Sequence, residues 1–164
     1  MSDLPVRAFV GVGANLGDAA ATVRAALRTL GDLPQTRLIA CSSLYRSAPL
    51  QAHGPDFVNA VAELCTTLPA LALLHRMQHI EQVFGRVRSV RNAPRTLDLD
   101  LLLHGEQVLH GDELELPHPR AHLRAFVLQP LAELDAHLGL PGLGPIGPWL
   151  ERAGDQQIEK MAGA

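Results

Sequence analysis

Leu97-Asp98-Leu99-Asp100-Leu101-Leu102-Leu103 is the stretch that decides the fold. Side chains alternate along a strand. The spacing therefore puts Leu97, Leu99, Leu101 and Leu103 on one face, and Asp98 and Asp100 on the other. Aspartate is a poor strand residue, and two carboxylates about 7 Å apart on one face repel each other. A hard divalent cation answers both problems, because magnesium takes oxygen ligands, commonly one or two carboxylates plus phosphate oxygens. The plain alternative is a solvated strand face.

Immediately upstream, Arg86, Arg88, Arg91 and Arg95 fall in a stretch without an acid, 85–96, that contains Pro94 and has no periodicity. It is expected to form a surface loop that feeds into the aspartate strand. Guanidinium groups pair with phosphate oxygens bidentately. Carboxylates for magnesium beside arginines for phosphate are what phosphoryl transfer needs.

Farther out, 7–14 reads as a first buried strand, and Asp18 caps a helix over 19–30 that ends at Gly31. A second strand is expected over 37–46, a loop over 47–56, and a third strand over 57–67. Pro69 opens a second helix, to about Phe84, with Leu73, Leu74, Met77 and Ile80 on its apolar stripe. After the aspartate strand come a short hairpin arm at 106–117 and a helix over 124–134 interrupted by Pro130. A Gly/Pro-rich tail follows, with a helical turn or two from Pro148 and a frayed end. The order strand, helix, strand, strand, helix, strand predicts an α+β fold: a ferredoxin-like antiparallel sheet with helices on one face and the site on the other. The expectation is one domain over 1–164, with its core at about 7–138 and a tail at 139–164.

The chain has 164 residues and a net charge of -3, so no global positive field attracts nucleic acid. Its two cysteines, Cys41 and Cys65, form no CxxC pair. The first residues lack a signal-peptide pattern, and no apolar run reaches spanning length. A cytoplasmic protein without a membrane partner is expected.

Two further clusters carry chemistry. Phe57 and Asn59 share a strand face, where a ring can stack on a flat heterocycle and an amide can read its edge. Pro117-His118-Pro119-Arg120, followed by Arg124 and Phe126, holds a histidine in a defined place. His75 and His79, at i and i+4, raise a zinc reading, but Glu81 is not placed as in HExxH. Gly11-Val12-Gly13 is a weak match to a dinucleotide loop and is discounted, because its third glycine comes late.

Several motifs, taken together, resemble the 6-hydroxymethyl-7,8-dihydropterin pyrophosphokinase family of folate biosynthesis. They are Gly13-Ala14-Asn15-Leu16-Gly17, Ser43-Leu44-Tyr45-Arg46-Ser47, Phe57-Val58-Asn59-Ala60, Gly85-Arg86-Val87-Arg88, Pro94-Arg95-Thr96-Leu97-Asp98-Leu99-Asp100 and Pro117-His118. The resemblance runs from Val10 to about Leu134. It implies transfer of diphosphate from ATP to the pterin hydroxymethyl group, with Asp98 and Asp100 holding two magnesium ions. It also implies that Asp100 sits near the pterin hydroxyl and that Arg86 and Arg95 steady the phosphates. Gln78, Glu81, Arg88, Arg95, His118 and Arg124 would contact ATP or order its site. The pterin would lie between Phe57 and Phe126, with Asn59 and the backbone of Ser47, Ala48 and Leu50 at its edge. A monomer without a fused partner enzyme is expected. The basic loop is one residue shorter than in the best-known form, Asn92 stands where a tryptophan can sit, and Phe57 and Pro119 stand where tyrosines are known. An ordinary γ-phosphoryl kinase and a non-catalytic ferredoxin-like binding module are the competing readings.

Overall fold

The structure is a computed structural model that describes residues 4–15, 17–48, 56–88 and 97–161, with 86–88 described as backbone only. Its main sheet contains β1 (Val6–Ala14), β2 (Thr36–Cys41), β3 (Tyr45–Ser47), β4 (Phe57–Thr66), β5 (Asp98–His104) and β10 (Ile158–Lys160). The order is β10-β3-β4-β1-β5, with β2 also on β4, and every pairing is antiparallel. Helices α1 (Ala19–Leu30) and α2 (Ala70–Arg88) follow β1 and β4, as the ferredoxin-like order requires. Small hairpins β6 (Leu109–His110) with β7 (Glu115–Leu116), and β8 (Gly139–Leu140) with β9 (Gly144–Pro145), flank helices α3 (Ala125–Leu134) and α4 (Ile146–Arg152).

Local sequence explains most boundaries. The Asp18 carboxylate accepts from Ala21 N at 3.1 Å and starts α1, whose buried stripe is Val23, Ala26, Leu27 and Leu30. The second strand does not run unbroken over 37–46. It splits at Ser42, whose N–H donates to Val61 O at 2.9 Å while its hydroxyl accepts from Val61 N at 2.9 Å. A side chain thus replaces one rung of the ladder, so the chain changes direction without orphaning the β4 backbone. Helix α2 also runs past Phe84 to Arg88, so 85–88, expected as loop, is helical. Gly85 adds no packing there and costs the helix about 1 kcal/mol against alanine, less than the hydrophobic face contributes.

Two cores lie on opposite faces of the sheet. Ala8, Val10, Val12, Val58, Ala60, Ala62, Leu64, Leu97, Leu99 and Leu101 meet α1 and α2. Phe9, Val61, Leu102 and Leu103 meet α3 and α4. The expected placement of Leu103 beside Leu97 is therefore corrected. The β1–β5 register shifts between Phe9 and Val10, so Phe9 pairs with Leu103, Val10 pairs with Leu101, and Leu102 is the extra residue. A bulge reverses the alternation beyond it, sending both leucines to the second core. The site face is consequently shared: α3 covers one part of it and leaves the aspartate end open. Pro130 does not interrupt α3, because Val127, Leu128, Pro130 and Leu131 are all buried and that packing offsets the missing N–H.

The tail is paired up to residue 161, and the last residues, 162–164, where a frayed end is expected, lie outside the described residues. Lys160, Glu159 and Ile158 pair with Tyr45, Arg46 and Ser47, and Met161 N donates to Leu44 O at 2.9 Å. Among the described residues no helix is long and apolar enough to cross a membrane.

Two carboxylates fasten α3 to the sheet. Glu133 accepts from Tyr45 Oη at 2.6 Å, Ser43 Oγ at 2.9 Å and Ser43 N at 3.0 Å. Burial pushes the Glu133 carboxyl up, but these bonds and the Lys160 charge outweigh it and leave it below its ordinary value. The His137 N–H bond, with help from Arg7 and against some burial, likewise depresses Asp135. A carboxyl with a lowered folded pKa contributes stability that is fully present above its unfolded pKa and is lost as pH falls through the folded one. The melting temperature should hold from neutrality to about pH 5 and fall below about pH 4. Glu133→Gln should shallow that fall. Identical acid slopes for the two proteins in circular-dichroism melts would contradict the assignment.

Candidate active site

The open end of the second face is built by three adjacent strands. Gly13 of β1 lies between Asn59 of β4 and Asp98 of β5, and Gly11 lies between Val61 and Asp100. Period-two glycines thus leave a trough between the amide column and the carboxylate column. Here the Gly-Val-Gly stretch has a use unrelated to a dinucleotide loop. Glycine inside a strand marks a close approach, a signal the sequence carried without saying what approaches.

The trough is the floor of a cavity of about 300 Å³. Of the expected pterin-side residues, Ser47, Ala48, Phe57, Asn59 and Phe126 line it; so do Asp98, Asp100 and Arg124. Asn59 is buried, and its Nδ2 donates to Ser47 Oγ at 3.0 Å. That bond fixes the amide orientation and leaves Oδ1 over Gly13, where a Cβ would come within 2.8 Å of it. Phe57 and Phe126 are half-buried walls, and Arg124 Cζ stands 5.4 Å from the Phe126 ring centroid. The cavity therefore combines apolar rings, a fixed amide and a carboxylate pair, a set that suits a flat polar heterocycle with a reactive substituent.

Asp100 connects this cavity to a second recess of about 290 Å³, bounded by Leu74, Leu101, Leu114 and His118. His118 is held by two bonds. Its N–H donates to Leu102 O at 3.0 Å, and its Nδ1 accepts from Arg120 N at 3.2 Å. Nε2 then faces Asp100 Oδ1 at 3.7 Å. Burial lowers the His118 pKa; Asp100 opposes this, while Arg124 and Arg120 reinforce it. The neutral ring with Nδ1 as acceptor must carry its proton on Nε2, so it presents a donor to the junction of the two recesses.

Glu81 reaches β5 from α2. Its Oε2 accepts from Leu99 N at 2.8 Å, on the outer edge of the sheet and between the two aspartates. This bond pins the carboxylate-bearing strand. Gln78 is exposed on α2 and does not line the first cavity. Arg86 and Arg88 lie in the last turn of α2, and their side chains are outside the description; Arg95 and Leu50 lie outside the described residues. His75 pairs with Glu113 rather than with His79, and among the described residues no three His, Cys, Asp or Glu side chains gather as a metal cage. Asp98 and Asp100 offer oxygen donors only and open into a cavity. That donor set fits magnesium completed by phosphate oxygens and water better than a metal fully caged by protein.

Sequence reasoning missed Glu133 and Gln156, and it singled out Gly11 and Gly13 without giving them this role. The glycines had a local signal; the other two act only through partners distant in the chain.

Residues 9–136 match the family described as 7,8-dihydro-6-hydroxymethylpterin-pyrophosphokinase (HPPK). The chain is 46% identical over 159 residues to the 2-amino-4-hydroxy-6-hydroxymethyldihydropteridine pyrophosphokinase of Pseudomonas aeruginosa, covering 96% of this chain and 98% of that protein. The protein of the same name from Haemophilus influenzae is 39% identical over 95% of this chain and 98% of its own length. Among solved structures, wild-type Plasmodium falciparum HPPK-DHPS with pterin and p-hydroxybenzoate shares the fold at a TM-score of 0.71 and 12% identity. That match covers 90% of this chain, which spans 43% of the longer one. With its trough, amide and paired aspartates in place, this chain belongs to the 7,8-dihydro-6-hydroxymethylpterin-pyrophosphokinase family.

Proposed function

We infer that this chain transfers the terminal diphosphate of ATP to the hydroxymethyl oxygen of 6-hydroxymethyl-7,8-dihydropterin, a step of folate biosynthesis. The observation that carries the reading is the trough itself: one cavity holds the Asn59–Ser47 pair, the two phenylalanines, Asp98 and Asp100.

The pterin ring lies between Phe57 and Phe126, with Asn59 Oδ1 and the backbone of Ser47, Ala48 and Leu50 at its edge. Its hydroxymethyl oxygen then points toward Asp100. That oxygen attacks the β-phosphorus of ATP. The bond from the β-phosphorus to the α,β-bridging oxygen breaks, AMP leaves with that oxygen, and the hydroxyl proton passes to a base at the Asp100 end of the trough. Asp98 and Asp100 would hold two magnesium ions, which when bound neutralise phosphate charge and lower the cost of charge on the attacking and leaving oxygens. Arg124 from the first cavity and the neutral His118 from the second recess donate to phosphate oxygens. Arg86 and Arg88, from the last turn of α2, and Arg95, shortly before β5 in the sequence, add positive charge, which is electrostatic work. The second recess takes the nucleoside, its apolar wall being Leu74, Leu101 and Leu114. Gln78 borders that nucleotide from α2, and Glu81 serves it by keeping β5 in place. Residues 1–164 act as one catalytic unit in the cytoplasm. The monomer is the proposed working form.

The test resolves AMP from ADP by chromatography after incubation with magnesium-ATP and 6-hydroxymethyl-7,8-dihydropterin. Pterin-dependent AMP is the expected product. ADP would mean γ-phosphoryl transfer on the same scaffold, and tight ligand binding without any nucleotide product would mean a binding module.

A further inference from the structure

Arg124 is the N-cap of α3, but its side chain makes no capping hydrogen bond there. The first N–H groups of a helix lack intrahelical partners, and the N–H of Ala125, the first residue of α3, is one of them. Its partner comes from the other end of the domain. Gln156 Oε1 accepts from Ala125 N at 2.9 Å, while Gln156 Nε2 donates to Leu123 O at 2.8 Å. These are the peptide groups immediately before and after Arg124. One amide thus grips both flanks of a residue whose backbone is extended, at φ -119° and ψ 120°.

The position of Gln156 is itself fixed. Gln156 N donates to Ala153 O at 3.0 Å, in the turn that follows α4. Two residues later the chain enters β10, where Ile158 pairs with Ser47. The tail is therefore tied to the Arg124 wall of the cavity by Gln156 and to the Ser47 wall by β10.

We propose that Gln156 is a positioning residue: by bracketing Arg124 through the Leu123 carbonyl and the Ala125 N–H, it sets the direction in which the Arg124 guanidinium enters the cavity. The proposal rests on the role given to Arg124 under the proposed function. Arg124 is half-buried and ends over the Phe126 ring, so a turn of its backbone moves both the cation and the ring beside it. Gln156 is exposed and does not line the cavity; it acts only through the residue it holds.

Gln156→Met keeps the length of the side chain and removes both bonds. Because Gln156 is exposed, the variant should fold, with a melting temperature within about 5 °C of the parent. The expected kinetic result is a KM for magnesium-ATP raised about tenfold, the loss of part of one charge-assisted contact, with kcat within about threefold. In an Arg124→Ala background the same change should add less than about twofold, because residues acting through one another are non-additive. An unchanged KM in Gln156→Met overturns the proposal. So does an equal effect in both backgrounds, which would mark a general loosening of the tail. A parent protein that makes no pterin-dependent AMP overturns the functional reading, and this one with it. A parent that works beside an unaffected Gln156→Met overturns this one alone.

Discussion

Asp98→Asn and Asp100→Asn should each lower turnover by at least about 100-fold, the scale seen when one preorganised electrostatic group is removed from an active site, while the fold stays intact. Both side chains are half-exposed on the open face of β5, and neither packs in a core. The change is nearly isosteric and touches no core, so the metal-free variants should fold and melt within about 5 °C of the parent. What they should lose is the rise in melting temperature that magnesium with ATP gives the parent, since a ligand stabilises only the form that binds it. Thermal scans with and without magnesium-ATP, beside the AMP assay, separate the two effects. Near-normal turnover in either folded variant would remove the metal assignment.

Gly13→Ala should raise the KM for the pterin by about 10- to 100-fold, the cost of leaving one or two buried polar groups mispaired, with less effect on ATP. The added Cβ would stand 2.8 Å from Asn59 Oδ1. The amide has nowhere to go without loss, because Nδ2 is bonded to Ser47 and the residue is buried. Gly11→Ala is the graded comparison. Its Cβ would meet Leu102 at 3.5 Å, an ordinary contact, so it shallows the trough without moving the amide and should be the milder change. A Gly13→Ala protein with the parent pterin KM would mean that Asn59 does not read the substrate edge.

The two predictions differ in where they come from. The aspartate pair was legible in the sequence, because period-two alternation fixes the face of each residue as soon as 97–103 is read as a strand. The acidic residues then had to share the side opposite Leu97, Leu99 and Leu101. The cap at Asp18, the stripe of α1 and the third strand were legible for the same reason: each depends on residues within a few positions of one another. The trough was half legible. Two glycines at period two stand in the sequence, read there only as a discounted dinucleotide match, and their neighbours Asn59 and Asp98 are set by the register of β1 against β4 and β5.

By itself, the sequence determined the order of strands and helices from β1 to β5 apart from the split at Ser42, the acidic face of β5, and the residue set whose likeness to the pyrophosphokinase family implied the chemistry. Those follow from local backbone geometry and from residue types in fixed spacing. Only the tertiary structure decided that a bulge at Leu102 sends Leu103 to the second core, that α3 shares the site face, and that β10 closes the edge beside β3. It alone placed Glu133 on Ser43 and Tyr45, and Gln156 on the flanks of Arg124. Each of these joins residues 31 or more positions apart. Which long-range pairing wins depends on how much apolar surface the whole sheet buries on both faces at once, a sum over the folded chain that no local window contains.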